Sequence, residues 1–324
     1  MSAVDQRSIN GNHGSLLLAL TLSALLYGIA SAQSIIYFHQ WTKDRPLFKK
    51  VVTVLWILNT VQLLLMASSL YNWLITHYGD FTALGKPSAT SLAQMYVSGV
   101  SDIIVRSFFA RRAFILLEGR RRRRPFMAWG LASLIVGVAI FVFMTSTAYS
   151  TVIYRIQGRP IDQQLALITK IAWVQYTFNI ASGVVDIIIA VSLSVILAKN
   201  RTGFKATDNI VVHLMIFSIS SGLVTSAVAL SAMVVYATLP MYLISLGLNW
   251  IISQLHFNSL LLSLNARTAL RERHGEPNTH SDTFSHSHEG ISVSGRPSTR
   301  YSIPLRETRA QISISKEVTV SDSL

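Results

Sequence analysis

The sequence predicts an all-α polytopic membrane protein: a bundle of seven transmembrane helices, N-terminus outside and C-terminus cytosolic. Three observations lead there. The 324 residues are 51% hydrophobic, with a mean hydropathy of +0.43 and only 13% charged, whereas soluble domains carry about 25% charged residues. Seven stretches of bilayer-spanning length are almost free of charge. Lys and Arg gather in alternate loops, which gives the chain a sidedness.

The spans read as roughly 15–38, 51–75, 91–110, 125–148, 171–198, 210–236 and 241–264. Each is long enough at 1.5 Å per residue to cross about 30 Å of hydrocarbon. Backbone groups facing lipid must be satisfied within the segment, so the spans are helices. Residues 1–14 form a short extracellular tail. The first span lacks a basic leader and a small-residue cleavage site, and is read as a retained helix. Trp41 and Trp73 sit at or near span ends, where amphipathic rings favour the interface.

Of the 28 Lys and Arg residues, 22 lie in loops 39–50, 111–124 and 199–209 and in the C-terminal segment. That bias sets the orientation and accounts for the net charge of +13 without nucleic-acid binding. The densest run, Arg120, Arg121, Arg122, Arg123 and Arg124, is first an orientation anchor. Its alternative is a site for anionic lipid or a sorting receptor. Asn200-Arg201-Thr202 is the one glycosylation sequon, and the orientation puts it in the cytosol.

Polar residues inside the spans mark inward faces, since helices in lipid associate through small residues and hydrogen bonds. Span five aligns Asn179, Gly183, Asp186, Ala190 and Ser194. Span six aligns Ser218, Gly222, Thr225, Ala229 and Ala232, and span seven Gly247, Gln254, Asn258 and Asn265. These faces are expected to turn toward the bundle centre.

Intramembrane charge is the sharper signal, at about 2.5–3.5 kcal/mol for an Asp or Arg at a span centre. Asp102 and Arg106 stand one turn apart and can pair on their own helix; that local pair is weighed evenly against a functional one. Asp186 has no basic neighbour within a turn, so its carboxyl stays protonated or finds a partner on another span. Arg106 and His256 are the candidates, and His256 is the weaker because it lies opposite the Gln254–Asn258 stripe. Asp186 has either a working or a structural hydrogen-bonding role.

Residues 271–324 are rich in Ser and Thr and poor in apolar runs, the composition of a disordered cytosolic tail. Ser298, Thr299 and Ser302 lie among Arg296 and Arg300, where phosphate would cancel local positive charge. His280, His286 and His288 share the tail, and a solvated segment explains them better than a metal site.

With no cysteine in the chain, no disulfide or palmitoyl thioester can form. Span seven has no lysine for a retinal Schiff base, no H-x-x-x-H pattern holds a metal, and no P-loop or nucleophile elbow occurs. No enzymatic activity and no cofactor are expected. Signatures of rhodopsin-like receptors are missing too, so a receptor reading rests on span number and orientation.

Three motifs nevertheless resemble a fungal membrane family abundant in mushroom-forming basidiomycetes, domain of unknown function 6534. They are VVDIIIAVSLSVILAKNRTGFKATDNIVVHL with Asp186, Thr202-Gly203-Phe204 and Thr207; SGLVTS at Ser221–Ser226; and NSLLLSLNAR at Asn258–Arg267. The resemblance covers roughly 168–270 and implies the seven-span fold and Asp186 as a family feature. It implies an aromatic residue where His256 stands, which puts this histidine outside any shared mechanism. It implies no activity.

The function expected is a receptor-like sensor whose basic loops and tail meet a cytosolic signalling partner. The alternatives are a small-solute or proton-coupled transporter using Asp186, and a membrane scaffold. The lipid bilayer is the obligatory partner, anionic lipid a candidate one, and nucleic acid none. The host is the plasma membrane or an endomembrane.

Overall fold

The computed structural model describes residues 14–40, 46–78, 87–118, 125–199, 205–239 and 243–275. The chain divides into two units, 1–277 and 278–324, and every described residue lies in the first. The described residues of that unit form seven long helices: α1 (Ser15–Gln40), α2 (Pro46–Tyr71), α3 (Ala89–Glu118), α4 (Pro125–Ile156), α5 (Ile161–Lys199), α6 (Lys205–Thr238) and α7 (Ile244–Gly275). A π-helical turn, Asn72–Thr76, extends α2. No strand occurs among the described residues.

The helices outrun the apolar spans because a charge ends a hydrophobic run without ending a helix. The loop expected over 149–170 is mostly helical: α4 continues to Ile156 and α5 starts at Ile161. The break falls at Gly158-Arg159-Pro160, where Gly disfavours helix and Pro suits a helix start. Ser88 caps α3 by accepting the Ser91 amide at 3.2 Å.

Consecutive helices pack side by side and α7 returns to α1, closing a ring. α3 also reaches across to α5 and α7. Interhelical bonds stitch neighbours together, among them Tyr27–Thr60 at 2.8 Å, Asn59 to Ser101 at 3.2 Å and Tyr96–Thr151 at 2.8 Å.

Polarity is inverted relative to a water-soluble protein. Leu18, Leu64, Trp129 and Leu223 stand 60–67% exposed, while Asn59, Gln62, Arg106 and Gln254 are buried. So much outward apolar surface would aggregate in water and sits at no cost against lipid. Five helical stretches have the length and apolarity to cross a membrane: Ser15–Gln40, Pro46–Thr76, Phe126–Ile156, Asp162–Lys199 and Met215–Thr238. They mark a multi-pass membrane protein. α3 and α7 fall short on composition, since Asp102, Arg106, Arg111 and Arg112 interrupt α3 and two polar stripes interrupt α7.

Close approach shapes two seams. A Cβ on Gly222 of α6 would lie 2.5 Å from the Ala190 Cβ and 3.1 Å from the Asp186 carbonyl oxygen of α5. Glycine there lets the two backbones touch, and Ser226 donates to the Gly183 carbonyl at 3.1 Å. On α7, a Cβ at Gly247 would meet the Ala19 Cβ of α1 at 2.9 Å. Below it Asn258 and Asn265 donate to the Leu26 and Gln33 carbonyls of α1 at 3.0 and 2.9 Å. The α7 stripe expected at the bundle centre therefore faces α1.

Candidate functional site

Because that stripe packs on α1, the opposite face of α7 is the inward one. It carries Asn249, His256 and Ser263 at heptad spacing. α3 presents Asp102 and Arg106 to it, and α5 presents Ser182 and Asp186, one turn apart. His256, Asp102, Arg106, Ser182 and Asp186 meet where α3, α5 and α7 converge.

The geometry is a chain of contacts. Arg106 Nε donates to Asp186 Oδ1 at 3.2 Å, and Arg106 Nη2 donates to Ser182 Oγ at 2.6 Å. The other Asp186 oxygen, Oδ2, lies 3.1 Å from His256 Nε2, and His256 Nδ1 lies 3.0 Å from Asp102 Oδ1. Arg106, Asp186 and His256 are each 5% exposed or less, whereas the Asp102 side chain is 20% exposed. The order is Ser182–Arg106–Asp186–His256–Asp102, crossing three helices.

The local Asp102–Arg106 pair is thus not the arrangement adopted. Arg106 reaches α5 and Asp102 reaches α7, since the longer guanidinium can pair across the bundle and leave the nearer carboxylate to the imidazole. A fork of fixed donors also suits two acceptors on adjacent turns, which a lysine would not span. Asp186 takes both of its candidate partners at once. His256, opposite the Gln254–Asn258 stripe, reaches Asp186 because that stripe faces α1 and not the bundle centre.

The imidazole imposes a proton count. Both ring nitrogens face carboxylate oxygens, and a neutral ring supplies one N–H. Two hydrogen bonds require a second proton, carried on the ring or on one carboxyl. That proton lies among His256 and the two acids, beside the Arg106 guanidinium.

Small voids adjoin it. A cavity of about 30 Å³ lies against Arg106, Asp186, His256, Ser218 and Gly222. Another of about 60 Å³ borders Asp102, Arg106, Ser182, Gln94 and Trp250. Each has room for a water molecule, and the second also has polar wall to hold one, whereas the open wall of the first is almost wholly apolar.

The other candidates separate from this centre. Asn258 serves the α1 seam, and Gln254 is fully buried with neither amide atom partnered. Arg120, Arg121, Arg122, Arg123 and Arg124, the sequon at Asn200, and Ser298, Thr299 and Ser302 lie outside the described residues. Sequence reasoning missed Ser182 and the buried Arg112, which donates to Ser263 of α7. Both were findable: Ser182 stands four residues before Asp186, and Ser263 seven after His256.

Neither a curated protein nor a solved structure matches this chain. Residues 182–269 match a family described as "Family of unknown function (DUF6534)". That match begins at Ser182 and contains Asp186 and His256, whereas Asp102 and Arg106 precede it, so the ionic cluster pairs residues inside the matched region with residues outside it.

Proposed function

We propose that the chain is a seven-crossing, non-enzymatic membrane sensor, N-terminus outside and C-terminus cytosolic, whose ionic cluster locks α3, α5 and α7 together. The observation that carries this reading is the Ser182–Arg106–Asp186–His256–Asp102 row. Charges buried in one mutually satisfied arrangement have few alternative partners, so the joint is held or broken as a unit. A stimulus that favours the broken arrangement shifts α3 against α5 and α7, and α3 leads into the basic loop with Arg120–Arg124. That loop and the Ser/Thr-rich tail are where a cytosolic signalling partner and anionic lipid would engage.

The seven crossings are supported by the lengths of α3 and α7, 30 and 32 residues, against about 20 needed. Most of their described polar side chains turn to protein, with Arg111 an exposed exception, which suits crossings that apolar neighbours shield from lipid. Isolation of the full chain from native membranes is expected to recover a cytosolic signalling protein, with recovery reduced by Arg106→Met. Recovery of lipids and neighbouring membrane proteins alone would overturn the sensor reading.

A proton-coupled transporter is the second reading, favoured by water-sized cavities beside a histidine that bridges two acids. It expects pH-driven flux in sealed vesicles that Asp186→Asn abolishes. Flux indifferent to Asp186→Asn removes that role. A scaffold expects neither a signalling partner nor flux.

A further inference from the structure

A much larger cavity, about 360 Å³, lies at the end of the bundle where α3, α5 and α7 begin. It is a half-open cleft, and ligand pockets start at about 300 Å³. Its walls include Trp73, Tyr149, Tyr236 and Trp250, with Gln94 and Asn249 among the polar groups. Tyr149 and Tyr236 are joined through their hydroxyls at 3.0 Å. No Lys, Arg, Asp or Glu is among the described residues lining it.

Two polar atoms there lack partners. Gln94 is 2% and Trp250 1% exposed, yet Gln94 Oε1 and Trp250 Nε1 make no hydrogen bond. Leaving a buried acceptor and a buried donor unmade is costly, and both side chains belong to the cavity wall although neither unmade atom opens on the space as it stands. The same two residues line the 60 Å³ cavity that borders Asp102 and Arg106. Gln94 precedes Asp102 by about 12 Å of α3, and Trp250 precedes His256 by about 9 Å of α7.

We infer that this cavity binds an uncharged, mostly apolar small molecule carrying a group that both donates and accepts a hydrogen bond, such as an alcohol, phenol or amide. Aromatic walls bury its apolar body, and on binding the Gln94 and Trp250 side chains turn so that Oε1 takes its proton and Nε1 supplies one. A charged ligand is disfavoured because the walls offer no counter-charge. The inference deepens the sensor reading by naming its ligand class, and rests on that reading for what binding does: the occupant touches α3 and α7 directly above the ionic cluster.

The test uses the full chain in uncharged phosphatidylcholine nanodiscs and two dyes sharing one skeleton. N-phenyl-1-naphthylamine is uncharged with one N–H, and 8-anilinonaphthalene-1-sulfonate adds a sulfonate. Saturable quenching of tryptophan emission is expected for the neutral dye and not for the sulfonate. Gln94→Leu, which removes the acceptor, should weaken the neutral dye about tenfold. Ile153→Trp, which fills the cavity from α4, should abolish binding while the protein stays monodisperse. Equal binding of both dyes, or affinity within about twofold of the parent in both variants, would overturn the site. Dye binding needs no cytosolic partner, so failure of the titration and failure of the partner isolation are read separately.

Discussion

The two faces of α7 solve the same problem in different ways. Toward α1 the helix uses Gly247 for close approach and Asn258 and Asn265 for single hydrogen bonds to backbone carbonyls, repeated along the seam. Toward α3 and α5 it uses one histidine in contact with two carboxylates, one of which holds an arginine. The neutral seam is distributed, so each bond is small and replaceable. The ionic joint is concentrated, and removing one member strands the rest in a medium that cannot solvate them.

The largest effect expected from that contrast is Arg106→Met. It leaves the buried Asp186 and the partly exposed Asp102 sharing one imidazole and should cost about 3–5 kcal/mol, read from unfolding in detergent. A loss below about 1 kcal/mol would mean water reaches the cluster and the two faces of α7 are alike. Asp186→Asn should follow at about 1.5–3 kcal/mol, since the amide cannot accept from Arg106 and His256 with a full charge. Asp102→Asn should cost less than Asp186→Asn, its carboxylate being partly exposed and holding the histidine alone.

Glycine contacts sharpen the comparison further. Gly222→Ala drives a methyl to 2.5 Å from the Ala190 Cβ and should cost about 1–3 kcal/mol. Gly183→Ala, whose added methyl meets Ala229 at an ordinary 3.8 Å, should stay within about 0.5 kcal/mol. Equal losses would place the tight point elsewhere on the α5–α6 seam. Among the hydrogen-bond removals the smallest is Asn258→Ala, at about 0.6 kcal/mol, the average for a polar contact between membrane helices. A loss as large as that of Asp186→Asn would erase the distinction between seam and joint.

The elements were legible because apolar length is a local property, and each expected span lies within or overlaps a helix. Helix ends were not, because Arg155 and Asp162 close an apolar run while leaving the backbone free to stay helical. Asp186 stood out as a charge in an apolar run. Its partner histidine was misjudged because periodicity sorts residues onto faces without saying which face a neighbour covers. Asn249, His256 and Ser263 formed a second stripe as regular as the first.

By itself the sequence determined that the chain belongs in lipid, how many long helices it forms and which residues are too costly to leave unpaired, since transfer energies and helix length follow from local composition. Only the tertiary structure decided that Arg106 bonds Asp186 instead of Asp102, that His256 joins both acids, and that Gln94 and Trp250 line one cavity. Those choices depend on the rotation of each helix about its axis, and that rotation is set by where Gly222, Gly247 and their small neighbours let backbones touch.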